Sequence, residues 1–137
     1  MTNDELIEMA AGVLNPHTTV DGRVFGDVAA ALLTDRGNVF TGVCIDTGSG
    51  TGFCAEHAAI AAMVTAGEYR IARIVAVWCH DRDGEPRVVP PCGRCREFMR
   101  QVDEANLGAE VVLGTSKVLT LQELLPHHEW PEPLAPH

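Results

Sequence analysis

At 137 residues, 46% of them apolar and 21% charged, the chain has the length and composition of one folded domain with a real core, which excludes disordered and fibrous classes. A formal charge of −9 at pH 7 argues against a general affinity for polyanions, which needs clustered Lys and Arg, and in favour of a small, near-neutral ligand. No run approaches the roughly 18 apolar residues of a membrane span, and the opening MTNDELIEMA lacks a basic start and apolar stretch, so a cytosolic protein is expected.

In chain order, Thr2 or Asn3 caps a first helix that runs to about Leu14, with Leu6, Met9, Ala10 and Val13 on one apolar face. Asn15-Pro16 ends it. VFGDVAAALLT and NVFTGVCI read as two strands joined by the turn-forming DRG, and DTGSGTG as a glycine-rich loop. That loop lacks the lysine-bearing phosphate-loop pattern, so its glycines are expected to let the backbone approach substrate and a neighbouring chain closely. From Phe53 to about Ala66 the sequence has strong helix propensity, with Gly67 placed to cap it. RIVAVWC is a continuous apolar run, expected as a central strand buried on both faces, with Trp78 in the core. HDRDGEPRVVPP reads as a loop, CGRCREFMRQVDEAN as a helix and EVVLG as a strand. Thr120 and Glu123 form a capping box for a short helix that Pro126 stops, and residues 127–137 are expected to be an irregular tail. Strands alternating with helices predict an α/β fold, a mixed sheet of about five strands packed between helices, in a single domain over residues 1–137.

Five cysteines in a reducing compartment are not expected to form a disulfide framework, which leaves metal binding or thiol chemistry. Cys54-x-Glu56 alone has a plain explanation, a buried free thiol beside a solvated first-turn acid. The second motif decides between readings. Cys92 and Cys95 lie one helical turn apart on one face and can chelate zinc as thiolates, and Cys54 is the natural third ligand. At a helix start, free N–H groups and the positive dipole end stabilise thiolate charge. Structural zinc takes four protein ligands and catalytic zinc three, so three cysteines with a non-ligating Glu56 point to a catalytic ion that activates water, with Glu56 handling its proton. A non-catalytic zinc-stabilised binding module remains the competing reading and requires a fourth protein ligand. A Cys54 nucleophile assisted by His57 is disfavoured, because adjacent helical side chains do not face each other.

C-x-E followed by P-C-x-x-C is the thiolate form of a zinc deaminase signature. CAEHAA and PCGRCR resemble the two zinc motifs of the small cytidine deaminases, AALLTDRGNVFTGV the hairpin before the first motif, and LQELLP the family's C-terminal segment. The resemblance runs from about Val28 to Pro126, and extends to blasticidin S deaminase in GRCR and in Trp130 soon after LLP. It implies a cytidine deaminase-like three-layer α/β/α sandwich, one Zn²⁺ per chain on Cys54, Cys92 and Cys95, and a homotetramer with sites shared between subunits. The implied reaction is hydrolytic deamination of a free cytosine nucleoside: water adds at the amine-bearing ring carbon, Glu56 carries its proton to the neighbouring ring nitrogen, and a second transfer frees ammonia.

The match has departures. The family's Asn and Glu that bind ribose hydroxyls correspond here to Cys44 and Asp46, and its aromatic residue before the first strand aligns near Gly26, beside Phe25. Cys44, Asp46, Phe25 and Ala55 are the expected substrate contacts, with the sugar left open between cytidine, deoxycytidine and a nucleoside antibiotic such as blasticidin S or another modified nucleoside. His57 stands where the family often has arginine and is expected either to support a cysteine sulfur or to face the helix surface. Arg94 is a candidate for compensating thiolate charge, whereas Arg96 reads as part of a solvated helix face. Trp130 is expected to close over the base or pack on a neighbouring subunit. Cys79 reads as a small buried hydrophobe, His80 as exposed, and His127 and His128 as binding nothing. Nucleic-acid editing is disfavoured by the acidic charge and the lack of an aromatic and basic strip.

Overall fold

The computed structural model describes residues 1–80, 84–129 and 131–132. The Thr2 hydroxyl accepts from the Glu5 amide at 3.1 Å and caps helix α1 (Asn3–Ala11). The helix stops at Ala11 rather than Leu14, so Val13 leaves the helical register. The buried face is therefore Leu6 and Ala10 with Ile7, Ala11 and Leu14 beside them, while Met9 and Val13 of the predicted face are 40% and 36% exposed.

The first predicted strand is split. β1 (His17–Thr18) and β2 (Val24–Phe25) pair as a separate ribbon, and β3 (Val28–Thr34) begins after Gly26, whose φ of +72° breaks the extended chain. β4 (Val39–Val43) returns antiparallel to β3, as predicted. Helix α2 (Ala55–Thr65) then leads to β5 (Ile71–Trp78), which pairs antiparallel with β3. Within the predicted loop lies β6 (Arg87–Val89), antiparallel to the end of β5. The predicted helix from Cys92 to Asn106 is two elements, α3 (Gly93–Val102) and a 3-10 turn (Glu104–Gly108), because Asp103 is extended and its carboxylate caps the turn at the Ala105 amide. β7 (Glu110–Val112) runs parallel to β5, β8 (Val118–Thr120) returns beside it, and Thr120 and Glu123 make the predicted capping box of α4 (Leu121–Leu124).

The main sheet has the order β4-β3-β5-β7-β8, with β6 on β5, and mixes parallel and antiparallel pairs. Its side chains alternate with the period of two that a pleated strand imposes. Ala29, Ala31, Val75 and Val77 meet α1 on one face, while Ala30, Leu32, Ile74 and Ala76 meet a layer including Ile60, Met63, Met99 and Leu121 on the other. This is the expected α/β/α sandwich, with β5 buried on both faces from Ile74 to Val77. Gly42 sets how closely α2 lies on β4: a Cβ there would stand 2.5 Å from the Ala58 Cβ and the Ala59 amide nitrogen. Among the described residues no helix is long and apolar enough to cross a membrane.

Candidate active site

The prolines before Cys92 cannot continue a helix backwards, so α3 starts at that cysteine, and the bend from the glycine loop starts α2 at Cys54. Both cysteines are N-cap residues with extended backbone, and neither uses its side chain to cap its helix. Their sulfurs are therefore free to face a ligand. Cys92 Sγ lies 3.4 Å from Cys54 Sγ and 3.4 Å from Cys95 Sγ, and all three sulfurs fall within 4.8 Å of one another. Thiolates on tetrahedral zinc at about 2.3 Å stand about 3.8 Å apart, so this donor set fits one such ion with little adjustment. Three soft sulfurs at two helix starts match zinc in both chemistry and charge.

Burial, reinforced by its neighbours, pushes the Cys54 thiol up to about 11. Burial also raises the Cys95 thiol, with the Glu56 carboxylate adding to it. Cys92 is held low overall: burial works against its thiolate, but the backbone N–H groups of Cys95 and Arg94 and the two other sulfurs outweigh it. Glu56 lies on the first turn of α2, 4% exposed, and burial raises its carboxyl above the usual range.

Beside the sulfurs opens a cavity of about 290 Å³. The helix starts contribute Cys54, Ala55, Glu56 and Cys92; the ends of β3 and β4 contribute Asp27, Val28, Cys44 and Asp46; β5, β6 and the following turn contribute Trp78, Val89 and Pro90. Of the expected substrate contacts, Ala55, Cys44 and Asp46 are on this wall. Phe25 is not: its ring lies 6.3 Å from that of His17. Trp130 falls outside the described residues. Cys44 is buried, and its thiol donates to Asp27 Oδ1 at 3.1 Å. Burial and then that carboxylate raise its pKa.

His57 Nδ1 lies 3.4 Å from Cys95 Sγ, and its ring stacks on Phe98 with centroids 4.2 Å apart and planes 8° from parallel. Burial, then the Arg94 charge, lowers its pKa, which disfavours the charged ring. With Cys95 as thiolate, Nδ1 carries the hydrogen and donates to the sulfur. Arg94 Nη1 donates to the Gly52 carbonyl at 3.3 Å, tying the start of α3 to the loop before α2. Gly52 leaves room for that loop to fold on itself, since a Cβ there would stand 2.6 Å from the Ile45 carbonyl oxygen. Arg96 is not solvated as expected. It is half-buried, donating to the Pro91 carbonyl at 2.9 Å and the Leu124 carbonyl at 3.0 Å, because α4 packs back over this end of α3. Cys79 is buried and His80 exposed, as expected.

Asp27 and Trp78 are cavity residues that the sequence reading did not assign. Asp27 directly precedes the β3 strand, and its place opposite Cys44 follows only from the β3–β4 register. Trp78 ends the β5 run and is half-buried, with one side open to the cavity instead of lying wholly in the core.

Residues 3–111 match the family model of the cytidine and deoxycytidylate deaminase zinc-binding region. A probable cytidine deaminase from Dictyostelium discoideum is 39% identical over 72 residues, 52% of this chain, and the match spans only 46% of that protein. Cytidine deaminase from Mycobacterium tuberculosis is 33% identical over 100 residues, covering 72% of this chain and 67% of the relative. Blasticidin-S deaminase from Bacillus cereus is 33% identical over 103 residues, covering 72% and 74%. The crystal structure of cytidine deaminase from Burkholderia pseudomallei superposes with a TM-score of 0.73 at 30% identity, covering 93% of this chain and 98% of that one. Fold, cysteine cluster and matched region agree, and the chain belongs to the cytidine and deoxycytidylate deaminase family.

Proposed function

We propose that the protein is a zinc-dependent hydrolase of a free cytosine nucleoside, converting cytidine or deoxycytidine and water to the uracil nucleoside and ammonia. The observation that carries this is the buried Glu56 beside three converging sulfurs at a small-molecule cavity. Among the described residues no fourth metal-ligating side chain joins Cys54, Cys92 and Cys95, which favours an open catalytic site over a closed structural one. Zinc held there supplies Lewis acidity toward water.

The remaining chemistry belongs to the chain. Glu56 takes a proton from water and delivers it to the ring nitrogen next to the amine-bearing carbon, and its second transfer to the amine makes ammonia the leaving group. Val28, Trp78 and Val89 give the cavity apolar surface suited to a flat base, and Ala55 leaves space at the helix start. Phe25 is assigned no substrate contact, and Trp130 is proposed to close the pocket. His57 and Arg94 position the sulfurs and the loop. We take residues 1–137 as one catalytic domain working in the cytoplasm on free nucleosides and not on nucleic acid. A homotetramer with shared sites is supported by the outer side of α2, which leaves Ala61 and Val64 exposed. Light scattering then gives four times the 14.7 kDa chain mass.

Purified protein is expected to hold one zinc per chain and to release ammonia from cytidine or deoxycytidine. Glu56→Gln should keep the zinc and lose on the order of 10³-fold in kcat. Bound zinc with no turnover of any cytosine nucleoside would refute the assignment. A second reading, detoxification of blasticidin S instead of salvage, is favoured by Cys44 standing where a ribose-binding carboxamide is expected and by the likeness to the Bacillus cereus relative. Comparing kcat/KM for cytidine and blasticidin S separates the two.

A further inference from the structure

β5 points alternate side chains to opposite faces of the sheet, so Ile74, Ala76 and Trp78 share one face. Ile74 and Ala76 are covered there by the layer that holds Ile60, Met63 and Met99. Trp78 ends the strand, where the cavity takes the place of that layer, and is half-buried between the buried Val77 and Cys79. Its partner on β3 is Val28, whose carbonyl accepts from the Cys44 amide at 3.0 Å. Trp78, Val28 and Cys44 thus stand in one row across the sheet, on the wall of the cavity that also holds Cys54 and Glu56. Among the described lining residues no other carries an aromatic ring. The start of β3 cannot supply one. Phe25 is turned to His17, and Gly26 has a φ of +72° and no room for a side chain, since a Cβ there would collide with the Asn15 carbonyl group. Nor does a described ring cover the indole: His80 meets it tilted by 57°, with centroids 5.9 Å apart.

We infer that Trp78 is the platform on which the pyrimidine ring of the substrate stacks, a substrate-binding residue that presents the ring's amine-bearing edge to Glu56 and the three sulfurs. The inference rests on the deaminase reading for its substrate class. An indole offers a large, rigid face to a flat heterocycle. Stacking of this kind is worth roughly 5- to 150-fold in affinity per base. It meets the face of the ring and not its edge, so cytosine and uracil rings are held alike. Telling an amine from a carbonyl is left to Glu56.

The indole itself reports the contact. The chain has two tryptophans, so Trp130→Phe leaves Trp78 as the one emitter, and Glu56→Gln is expected to hold a cytosine nucleoside without turning it over. That zinc-loaded double variant is titrated with cytidine, deoxycytidine and blasticidin S, by tryptophan fluorescence and by calorimetry. At least one of the three is expected to quench Trp78 emission saturably, with the dissociation constant that calorimetry gives. Adding Trp78→Leu should raise that constant about 10-fold at equal zinc content. Trp78→Phe, which keeps an aromatic face, should raise it less than about threefold. Recovery by phenylalanine and not by leucine separates stacking from the filling of space. Calorimetric binding with unchanged emission overturns the inference, and so does binding of none of the three. A Leu variant that binds as tightly as its parent, or a Phe variant as weak as the Leu one, does the same. If Trp78→Leu does not fold, the quenching of native Trp78 and the Phe variant still decide. Ammonia release by the unmodified protein is scored separately. Release without quenching keeps the deaminase reading and removes the platform, and quenching without release does the reverse.

Discussion

His57 directly follows Glu56 on the first turn of α2, and its ring is turned to Cys95 and pressed flat on Phe98. Phenylalanine at this position keeps the stack and removes the N–H, so His57→Phe isolates the contact to sulfur. Losing a partner of this kind typically weakens metal binding 10- to 100-fold. His57→Phe is therefore expected to raise the zinc dissociation constant by about 10-fold in a competitive chelator titration while the zinc-saturated protein retains measurable turnover. A dissociation constant equal to that of the unmodified protein would show that the 3.4 Å contact carries nothing. Cys54, Glu56, Cys92 and Cys95 were legible in the sequence because helical spacing and the two prolines determine where each side chain sits. Asp27 was not, because its neighbour Cys44 is reached across a strand pair whose register is decided by the whole β3–β4 ladder. Arg96 was misread for a similar reason: the carbonyl of Leu124 that it reaches belongs to α4, far along the chain.

Among the elements, α2, β5 and α3 were predicted because each carries its own signal: a cap, a continuous apolar run or a proline stop. β6 and β8 were missed. Each is a three-residue strand, too short to show a period, and each pairs because a longer neighbour offers an open edge. The junction between β5, α3 and the 3-10 turn depends on Asn106, which is fully buried. Its Oδ1 accepts from the Ile71 amide at 2.8 Å, and its Nδ2 donates to the Met99 carbonyl at 2.9 Å and the Tyr69 carbonyl at 3.1 Å. Asn106→Ala strands three backbone groups, each costing roughly 1–3 kcal/mol when buried without a partner. With partial relaxation the expected destabilisation in urea is about 3 kcal/mol. Gly42→Ala tests the α2–β4 approach. Its methyl group meets helix backbone, so the helix must move, with an expected loss of about 1–3 kcal/mol and reduced zinc affinity as Cys54 shifts with α2.

At the scale of the whole molecule, the sulfur cluster is the point where two helices from different parts of the chain meet, α2 packed on β3 and β4, and α3 leading into the turn held by Asn106. Both helices begin there, and no disulfide joins them. A metal that binds the folded arrangement and not the unfolded chain stabilises the fold by mass action. At free zinc 100 times its dissociation constant the gain is about 2.7 kcal/mol. For a domain of this length each kcal/mol moves Tm by about 3–5 °C, so stripping zinc with a chelator is expected to lower Tm by about 10 °C. Glu56→Gln should show the same zinc-dependent rise as the unmodified protein, since the carboxylate is not a ligand. Cys95→Ser should lose most of it. If the exposed apolar side of α2 is a subunit contact, Tm of the zinc-loaded protein also rises with protein concentration, because association binds only the folded chain. A zinc-dependent rise that is independent of protein concentration between about 1 and 100 µM would separate metal stabilisation from assembly and rule out a subunit contact that stabilises the fold in that range.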